Sequence, residues 1–342
     1  MSPAAREQFF GVQHAFDHPL TLWTTIGLTV VLAAVPLVIF ALARTQLIDA
    51  KLRYELFQRY YSWLVMVPLM LVPVLLGAFW TILFICGLSL LCYREYARAT
   101  GLFREKLISL LVVAGIIGLN FAVLDNWYRL FVALTPLFVA LIAAVAVLED
   151  RPKGYIQRVA LGVLGLLLFG TCLSHLGYFA NDSNYRPVLI FLVLAVEAND
   201  VFAYIVGKSL GSRKLLPNTS PKKTLAGALG AVVLTTILVV ALGQFLYPQS
   251  YLDTHGVSRW TELRYLTTLG IVVSVVGQLG DLVLSSIKRD LGLKDMGGTI
   301  PGHGGLLDRF DSLILVAPAA FHYANYFAGI GIDQPAKVFT GG

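Results

Sequence analysis

The sequence predicts an all-α integral membrane protein with about ten transmembrane helices. Hydrophobic residues make up 57% of the 342-residue chain and charged residues only 13%, and the mean hydropathy is +0.74. Soluble globular domains carry roughly 25% charged residues, so this composition excludes an ordinary soluble protein. The second observation is that long apolar segments alternate with short charged loops. The third is the uneven distribution of lysine and arginine between those loops.

The apolar segments can each cross a bilayer as a helix, which takes about 20 residues. We expect helices at 20–43, 60–77, 79–93, 107–124, 130–148, 158–180, 187–206, 224–247, 265–286 and 312–331. The second and third segments are short and meet at a tight turn near Gly77. The first helix and the cytoplasmic loop after it, residues 1–59, are expected to be an addition to a nine-helix body at residues 60–342.

Basic residues indicate which loops face the cytoplasm, because cytoplasmic loops carry an excess of Lys and Arg. Assigning the loops alternately to two sides places all but six of the 26 Lys+Arg on one side. That side is predicted to be cytoplasmic, and both termini lie on the opposite side. The net charge of +6 therefore reflects membrane topology and gives no reason to expect nucleic-acid binding.

The three cysteines lie in apolar segments, which predicts free buried thiols rather than a disulfide framework or a zinc site. The first apolar segment is too long for the core of a cleavable signal peptide and is expected to be a true span. No organellar targeting segment is visible, so the expected location is the plasma (inner) membrane of a prokaryote.

Two carboxylates lie inside the seventh apolar segment. Glu197 and Asp200 are spaced i, i+3, and Tyr204 and Lys208 continue the same helical face. A carboxylate at that depth costs about 2.5–3.5 kcal/mol on insertion scales. These side chains are therefore expected to face an interior cavity, a partner or a metal. A structural polar bridge between helices is the alternative.

A loop containing glycine and proline, residues 207–223, precedes the eighth apolar segment. Ser220, Lys222, Lys223 and Thr224 offer hydroxyl and ammonium groups where that helix begins. A helix N-terminus attracts phosphate because its unpaired N–H groups and dipole add to the side-chain charges. The spacing differs from that of a P-loop. An ordinary basic flank of a cytoplasmic loop is the alternative.

The strongest signal is a charged segment between the last two apolar segments. Asp281, Ser285 and Lys288 share one helical face as the ninth segment ends. Asp308 and Asp311 follow a glycine-rich turn, and their i, i+3 spacing would point both in one direction. Convergent carboxylates beside Lys and Arg fit Mg²⁺ held between protein oxygens and substrate phosphates. A solvated loop is the alternative.

This segment resembles the signature of the phosphatidate cytidylyltransferases, also called CDP-diacylglycerol synthases. The matching residues are Ser285, Lys288, Arg289, Lys294, Asp295, Gly297, His303, Gly304, Gly305, Asp308, Arg309 and Asp311. Upstream elements that also resemble the family are Asn199, Asp200, Ala203, Tyr204, Gly207, Ser220 through Thr224, Gln278, Gly280 and Asp281. The resemblance covers roughly residues 59–330 and leaves the first helix outside it.

The resemblance implies transfer of CMP from CTP to phosphatidic acid at the cytoplasmic face, giving CDP-diacylglycerol and pyrophosphate. The expected catalytic residues are Asp281, Asp308, Asp311, Lys288 and His303, and the three aspartates would hold Mg²⁺, with a second cation left open. The expected substrate-binding residues are Asn199, Asp200, Ser220, Lys222, Lys223, Thr224, Ser285, Arg289, Lys294, Asp295 and Arg309. The expected partners are CTP, phosphatidic acid and the lipid bilayer, and a homodimer stays open.

Ala226 departs from the family pattern, which usually has Glu at this position. The missing carboxylate leaves two alternatives near the expected triphosphate site. Glu197 could substitute for it, or the chain could be a catalytically weak paralogue with a lipid-binding or regulatory role. A transporter is disfavoured, because it would be expected to show inverted repeats and broken helices.

Overall fold

The computed structural model describes residues 3–246, 258–300, 304–328 and 338–340. Long helices joined by short connections make up most of this part of the chain. The elements are α1 (Pro3–Phe10), α2 (Pro19–Arg44), α3 (Ala50–Leu76), α4 (Ala78–Thr100), α5 (Lys106–Leu124), α6 (Tyr128–Leu148), α7 (Tyr155–Gly165), α8 (Leu173–Phe179), α9 (Tyr185–Leu210), β1 (Lys214–Leu216), β2 (Ser220–Thr224), α10 (Leu225–Gly243), α11 (Arg259–Asp290) and α12 (Leu307–Ala328). A π-helical segment, Leu166–Cys172, joins α7 to α8.

Each predicted apolar segment corresponds to one long helix or, for α7 and α8, to one continuous span at Tyr155–Phe179. In the described part of the chain, nine helices are long and apolar enough to cross a membrane. α12 is the tenth long helix, and its first turns carry charged residues. The predicted all-α membrane fold is confirmed at this level, while the number of spans and the side of the termini stay predictions.

The predicted loop at residues 44–59 is wrong over much of its length, because α3 already begins at Ala50. Asp49 caps this helix, and its carboxylate accepts the N–H of Leu52 at 2.7 Å. The predicted boundary after this loop therefore falls inside a helix. α11 also begins earlier than predicted, at Arg259.

The predicted loop at residues 207–223 contains an antiparallel hairpin, which the sequence did not predict. β1 and β2 pair with Lys214 opposite Thr224, across a turn at residues 217–219. The hydroxyl of Thr224 then caps α10 by accepting the N–H of Gly227 at 3.1 Å. The hairpin therefore holds Lys222 and Lys223, near the end of β2, directly against the start of α10.

The main apolar core lies among α4, α5, the α7–α8 span and α12. Its fully buried side chains include Tyr96, Ile108, Phe169 and Phe321. Close packing is what holds membrane helices together, because lipid is as apolar as the core itself. This core forms the support on which the polar ends of the later helices are arranged.

Two glycines permit close helix crossings beside the polar ends of these helices. α10 packs against α9 and α11, and α11 packs against α12. A Cβ atom at Gly227 would lie 2.6 Å from the carbonyl oxygen of Ala203 on α9. A Cβ atom at Gly280 would lie 2.7 Å from the carbonyl oxygen of Asp311 on α12. Any larger residue would push these helices apart.

Loops that were predicted to share a side of the membrane contact one another. Arg151 forms ion pairs with both Glu105 and Glu149, which joins the loops after α4 and α6. The hydrogen bond from Arg151 lowers the pKa of Glu149. The Nε of Arg289 donates to the carbonyl oxygen of Thr219 at 3.3 Å, which joins the end of α11 to the hairpin. These contacts agree with the predicted alternation of the loops.

Candidate active site

A polar cavity of about 890 Å³ lies where α9, α11, α12 and the hairpin meet. Ten of the residues that the sequence assigns to the site line it, namely Asp200, Lys222, Lys223, Thr224, Asp281, Lys288, Asp295, Asp308, Arg309 and Asp311. Glu197 and Gln278 line it as well. Three polar segments that lie far apart in the sequence are therefore brought to one place. We call this space the polar cavity.

An ion pair connects the hairpin to α11 inside the polar cavity. The Nζ of Lys223 pairs with the Oδ2 of Asp281. The Oδ1 of Asp281 accepts the hydroxyl of Ser285, one turn along α11, at 3.1 Å. Both members of the pair keep 22% of their side-chain surface exposed, although the Nζ of Lys223 itself is buried.

A buried set of contacts fixes the loop before α12. The Nζ of Lys288 donates to the Oδ1 of Asp308 at 2.9 Å and lies 4.0 Å from the Oδ2 of Asp311. The Oδ2 of Asp308 accepts the N–H groups of Met296 and Gly305 at 2.9 and 3.0 Å. Both oxygens of Asp308 are engaged in holding this loop, and its predicted metal role stays a prediction.

Three carboxylates from three helices meet around the polar cavity. Asp311 experiences the negative charges of Asp281 and Asp200. Ser312 donates its hydroxyl to Asp200 at 3.2 Å and its N–H to Asp311 at 2.8 Å. Mutual repulsion of this kind is relieved when a cation binds.

The donor set is suited to a metal that shares its ligands with a substrate. Among the residues that the structure describes, no three His, Cys, Asp or Glu side chains lie close enough together to hold an ion. Mg²⁺ usually takes one or two carboxylates and completes its octahedron with substrate phosphates and water. Asp281 and Asp311 have the chemistry for such a site, with Asp200 beside them.

Several cations at the polar cavity were not in the predicted set of site residues. Arg59 on α3, Lys208 on α9 and Lys214 on β1 all line it. Together with Lys222 and Lys223 they surround the space with positive charge. Lys208 could have been chosen from its position on the Glu197 face, whereas Arg59 and Lys214 looked like ordinary loop charges in the sequence.

Some predicted residues lie behind the cavity rather than in it. Asn199 is fully buried, and its Oδ1 accepts the hydroxyls of Thr235 and Ser274 at 3.1 and 2.5 Å. It therefore ties α9 to α10 and α11. Arg289 is engaged with backbone carbonyls, including that of Leu293 at 3.0 Å. Their contacts in the structure are with other parts of the protein, and the predicted substrate binding stays a prediction.

Ser220, Ser285 and Lys294 also do not appear among the residues that line the polar cavity. Ser285 acts on the cavity indirectly, through its hydrogen bond to Asp281. Lys294 is exposed. His303, predicted to contact phosphate or to transfer a proton, lies outside the described residues.

Glu95, near the end of α4, belongs to a charged segment, Arg94 to Tyr96, that resembles the family, but it was not among the predicted site residues. Its Oε1 accepts the N–H of Leu306 at 3.0 Å and the hydroxyl of Thr299 at 2.5 Å, and its Oε2 accepts the N–H of Leu307 at 2.8 Å. A Cβ atom at Gly305 would lie 2.5 Å from this carboxylate. Glu95 thus anchors the glycine-rich loop and the start of α12, a role that the resemblance at Arg94 to Tyr96 did not specify.

Comparison with known proteins agrees with this geometry. The sequence model of the cytidylyltransferase family matches residues 57–327 of this chain. The chain belongs to the cytidylyltransferase family. The predicted family is confirmed, and the protein is an enzyme of that family. α1 and α2 lie outside the matched region.

Named relatives include phosphatidate cytidylyltransferases. That of Bacillus subtilis (strain 168) is 33% identical over 238 residues, which covers 66% of this chain and 84% of the relative. That of Rickettsia bellii is 36% identical over 192 residues, covering 55% and 80% of the two chains. Escherichia coli (strain K12) has an uncharacterized protein, YnbB, that is 36% identical over 217 residues, covering 61% and 69%.

Proposed function

We propose that this enzyme transfers CMP from CTP to phosphatidic acid, giving CDP-diacylglycerol and pyrophosphate. The observation that carries the proposal is the junction of two cavities. Trp63, Met70, Glu197 and Phe310 line both the polar cavity and an apolar cavity between the helices. A water-soluble polyphosphate and a membrane lipid could therefore meet at one point. The names of the relatives, phosphatidate cytidylyltransferases, support these two substrates.

The basic side chains are suited to the nucleotide triphosphate. Lys208, Lys214, Lys222 and Lys223 line the cavity around the start of α10, where unpaired N–H groups and the helix dipole also favour an anion. A triphosphate would compete with Asp281 for Lys223. By binding Lys223, the nucleotide would free the Asp281 carboxylate from its ion pair. The phosphates of the nucleotide would bring further oxygens to the site at the same time.

The two arginines that line the cavity are suited to the lipid phosphate. Arg59 lies on α3 and Arg309 on α12. A guanidinium group can bind a phosphate through two parallel hydrogen bonds, which orients it as well as neutralising it. Glu197 and Asp200 line the same cavity as Arg309, so the arginine lies in a negatively charged surrounding before the substrate arrives.

The chemistry then needs no protein nucleophile. An oxygen of the lipid phosphate attacks the α-phosphorus of CTP, and the bond from that phosphorus to the bridging oxygen of the β-phosphate breaks. The bonding electrons leave with pyrophosphate. Mg²⁺ bound at Asp281 and Asp311 would supply positive charge to the reacting phosphates. The lysines and arginines reduce the repulsion between two anionic substrates and hold them in line.

We place the polar cavity at the cytoplasmic face of the inner membrane, because the loops around it lie on the side that carries most of the Lys and Arg. The alternative of a catalytically weak paralogue with a lipid-binding or regulatory role rested on Ala226. Ala226 is the second residue of α10, is half-buried and does not appear among the residues that line the polar cavity. Its missing carboxylate removes a favourable interaction with a helix dipole rather than a cavity ligand.

The test is release of pyrophosphate by the purified protein in mixed micelles with CTP, phosphatidate and Mg²⁺. We expect release to require all three. Replacing phosphatidate by diacylglycerol, which lacks the attacking phosphate oxygen, is the matched control. Release that is the same with diacylglycerol would show hydrolysis of CTP and contradict the proposed transfer.

A further inference from the structure

Gln278 is an uncharged polar residue in the lining of a mostly charged cavity. It lies on α11, about one turn before Asp281, and only 8% of its surface is exposed. Its Nε2 donates to the carbonyl oxygen of Ala228 on α10 at 3.2 Å and to the hydroxyl oxygen of Ser274 at 3.1 Å. Both N–H groups of the amide are therefore engaged with the protein.

These two partners fix the direction of the amide group. The carbonyl oxygen of Ala228 can only accept a hydrogen bond, so the atom that faces it must be the nitrogen. The hydroxyl of Ser274 donates its hydrogen to the Oδ1 of Asn199 at 2.5 Å, so its oxygen is left to accept. Turning the amide over would place two acceptors against each other at Ala228. The nitrogen therefore faces the helices, and the oxygen faces away from them.

The Oε1 of Gln278 is available to a ligand. Among the residues that the structure describes it accepts no hydrogen bond, and it is not one of the buried polar atoms that lack a partner there. Since the side chain lines the polar cavity, this oxygen is reached from that cavity. An acceptor that is held in place by two hydrogen bonds suits an N–H or O–H group of a ligand.

The charges around this oxygen indicate which part of a nucleotide would reach it. Lys223 pairs with Asp281, and Lys288 lies two turns after Asp281 on α11. Gln278 lies in the other direction, about 4.5 Å from Asp281 along the helix axis. In the proposed reaction the α-phosphate lies at Asp281 and the other two phosphates lie among the lysines. The nucleoside, which is uncharged, is then the part left for the side of Gln278.

We propose that Gln278 is a specificity-determining residue whose Oε1 accepts a hydrogen bond from a donor group of the nucleoside. That donor is the amino group of cytosine or a hydroxyl of the ribose. Uracil carries an oxygen in place of the amino group, so it would bring a second acceptor to the same place. Ser274 is a positioning residue, because it holds the amide of Gln278. This inference rests on the proposed function for the use of CTP.

The first experiment measures kcat/KM for pyrophosphate release with phosphatidate and each of four nucleotides, namely CTP, UTP, dCTP and CTP that lacks the 3′-hydroxyl. Wild type is compared with Gln278→Met, which keeps the length of the side chain without the amide. The variant should lose a factor on the order of ten with every nucleotide that carries the donor. With the nucleotide that lacks the donor, it should stay within about twofold of wild type.

The four nucleotides identify the donor. If it is the amino group of cytosine, UTP is the nucleotide that the substitution does not affect. If it is a ribose hydroxyl, CTP and UTP lose activity equally and one of the two deoxy forms does not. An equal loss with all four nucleotides, or no loss with any, would overturn the inference.

Ser274→Ala and Thr235→Val form a matched pair. Both hydroxyls donate to the Oδ1 of Asn199, but only that of Ser274 also accepts from Gln278. Ser274→Ala should shift the nucleotide preference in the same direction as Gln278→Met by a smaller factor, whereas Thr235→Val should keep the wild-type preference. Equal preferences in the two variants would contradict the role of Ser274 and, if Gln278→Met does not fold, the inference as a whole.

A binding measurement separates this inference from the proposed reaction. Isothermal titration calorimetry gives the affinity of the full-length protein in detergent for the same nucleotides with Mg²⁺ and without phosphatidate. A loss of affinity in Gln278→Met that spares one nucleotide would support the inference even if no CMP were transferred to phosphatidate. Transfer to phosphatidate combined with an equal loss for all nucleotides would overturn the inference and leave the proposed function standing.

Discussion

Replacing Glu95 with Ala should damage the site without changing any residue that lines the polar cavity. The carboxylate is 8% exposed and accepts three hydrogen bonds from the loop and the start of α12. Each donor left without a partner costs about 1–3 kcal/mol. The loss of all three hydrogen bonds should therefore destabilise the ordered loop by at least about 3 kcal/mol. Because 1.4 kcal/mol corresponds to a factor of ten, kcat/KM should fall on the order of a hundredfold.

The assay combines steady-state kinetics with thermal unfolding of the purified protein in detergent. Glu95→Gln keeps one carbonyl oxygen and the shape of the side chain, so it should recover part of the loss. Glu55→Ala, a change of the same size at an exposed glutamate on α3, is the control and should behave as wild type. If Glu95→Ala kept kcat/KM within about threefold of wild type with the same melting temperature, the anchoring role would be refuted.

Three further substitutions test separate parts of the site. Asp281→Asn should lower kcat at least ~100-fold and raise the Mg²⁺ requirement, measured by metal titration; normal turnover would remove this residue from the metal site. Lys222→Ala combined with Lys223→Ala should raise KM for CTP far more than KM for phosphatidate, and equal effects on both would contradict the triphosphate assignment. Ala226→Glu should leave kcat within about twofold and raise stability by about 0.3–1 kcal/mol, and a large gain in activity would restore the paralogue alternative.

The helices could be predicted because hydrophobic length is a local property of the sequence. The first residues of the helices could not be predicted, because Asp49 and Thr224 act as caps only through backbone geometry that forms together with the helix. The hairpin was missed because three of its residues are lysines, which are usual in a basic membrane flank. The prediction for this segment followed its charges and overlooked the pairing of its two strands.

The polar residues of the site were predictable as a group but not in their individual roles. Asp281 and Asp308 look equivalent in the sequence, yet one pairs with a cavity lysine and the other binds two backbone N–H groups. The roles of Glu95 and Gln278 depend on contacts between elements far apart in the chain. Such contacts leave no periodicity or spacing from which they could be inferred.

The most direct test of the account follows the nucleotide itself. Purified protein is incubated with CTP radiolabelled at the α-phosphorus, with phosphatidate and with Mg²⁺, and the lipid phase is extracted and counted. The account predicts that label enters a lipid product with the mobility of CDP-diacylglycerol, and that Asp281→Asn prevents this. Label that stays in the aqueous phase with folded wild-type protein and both substrates present would contradict it.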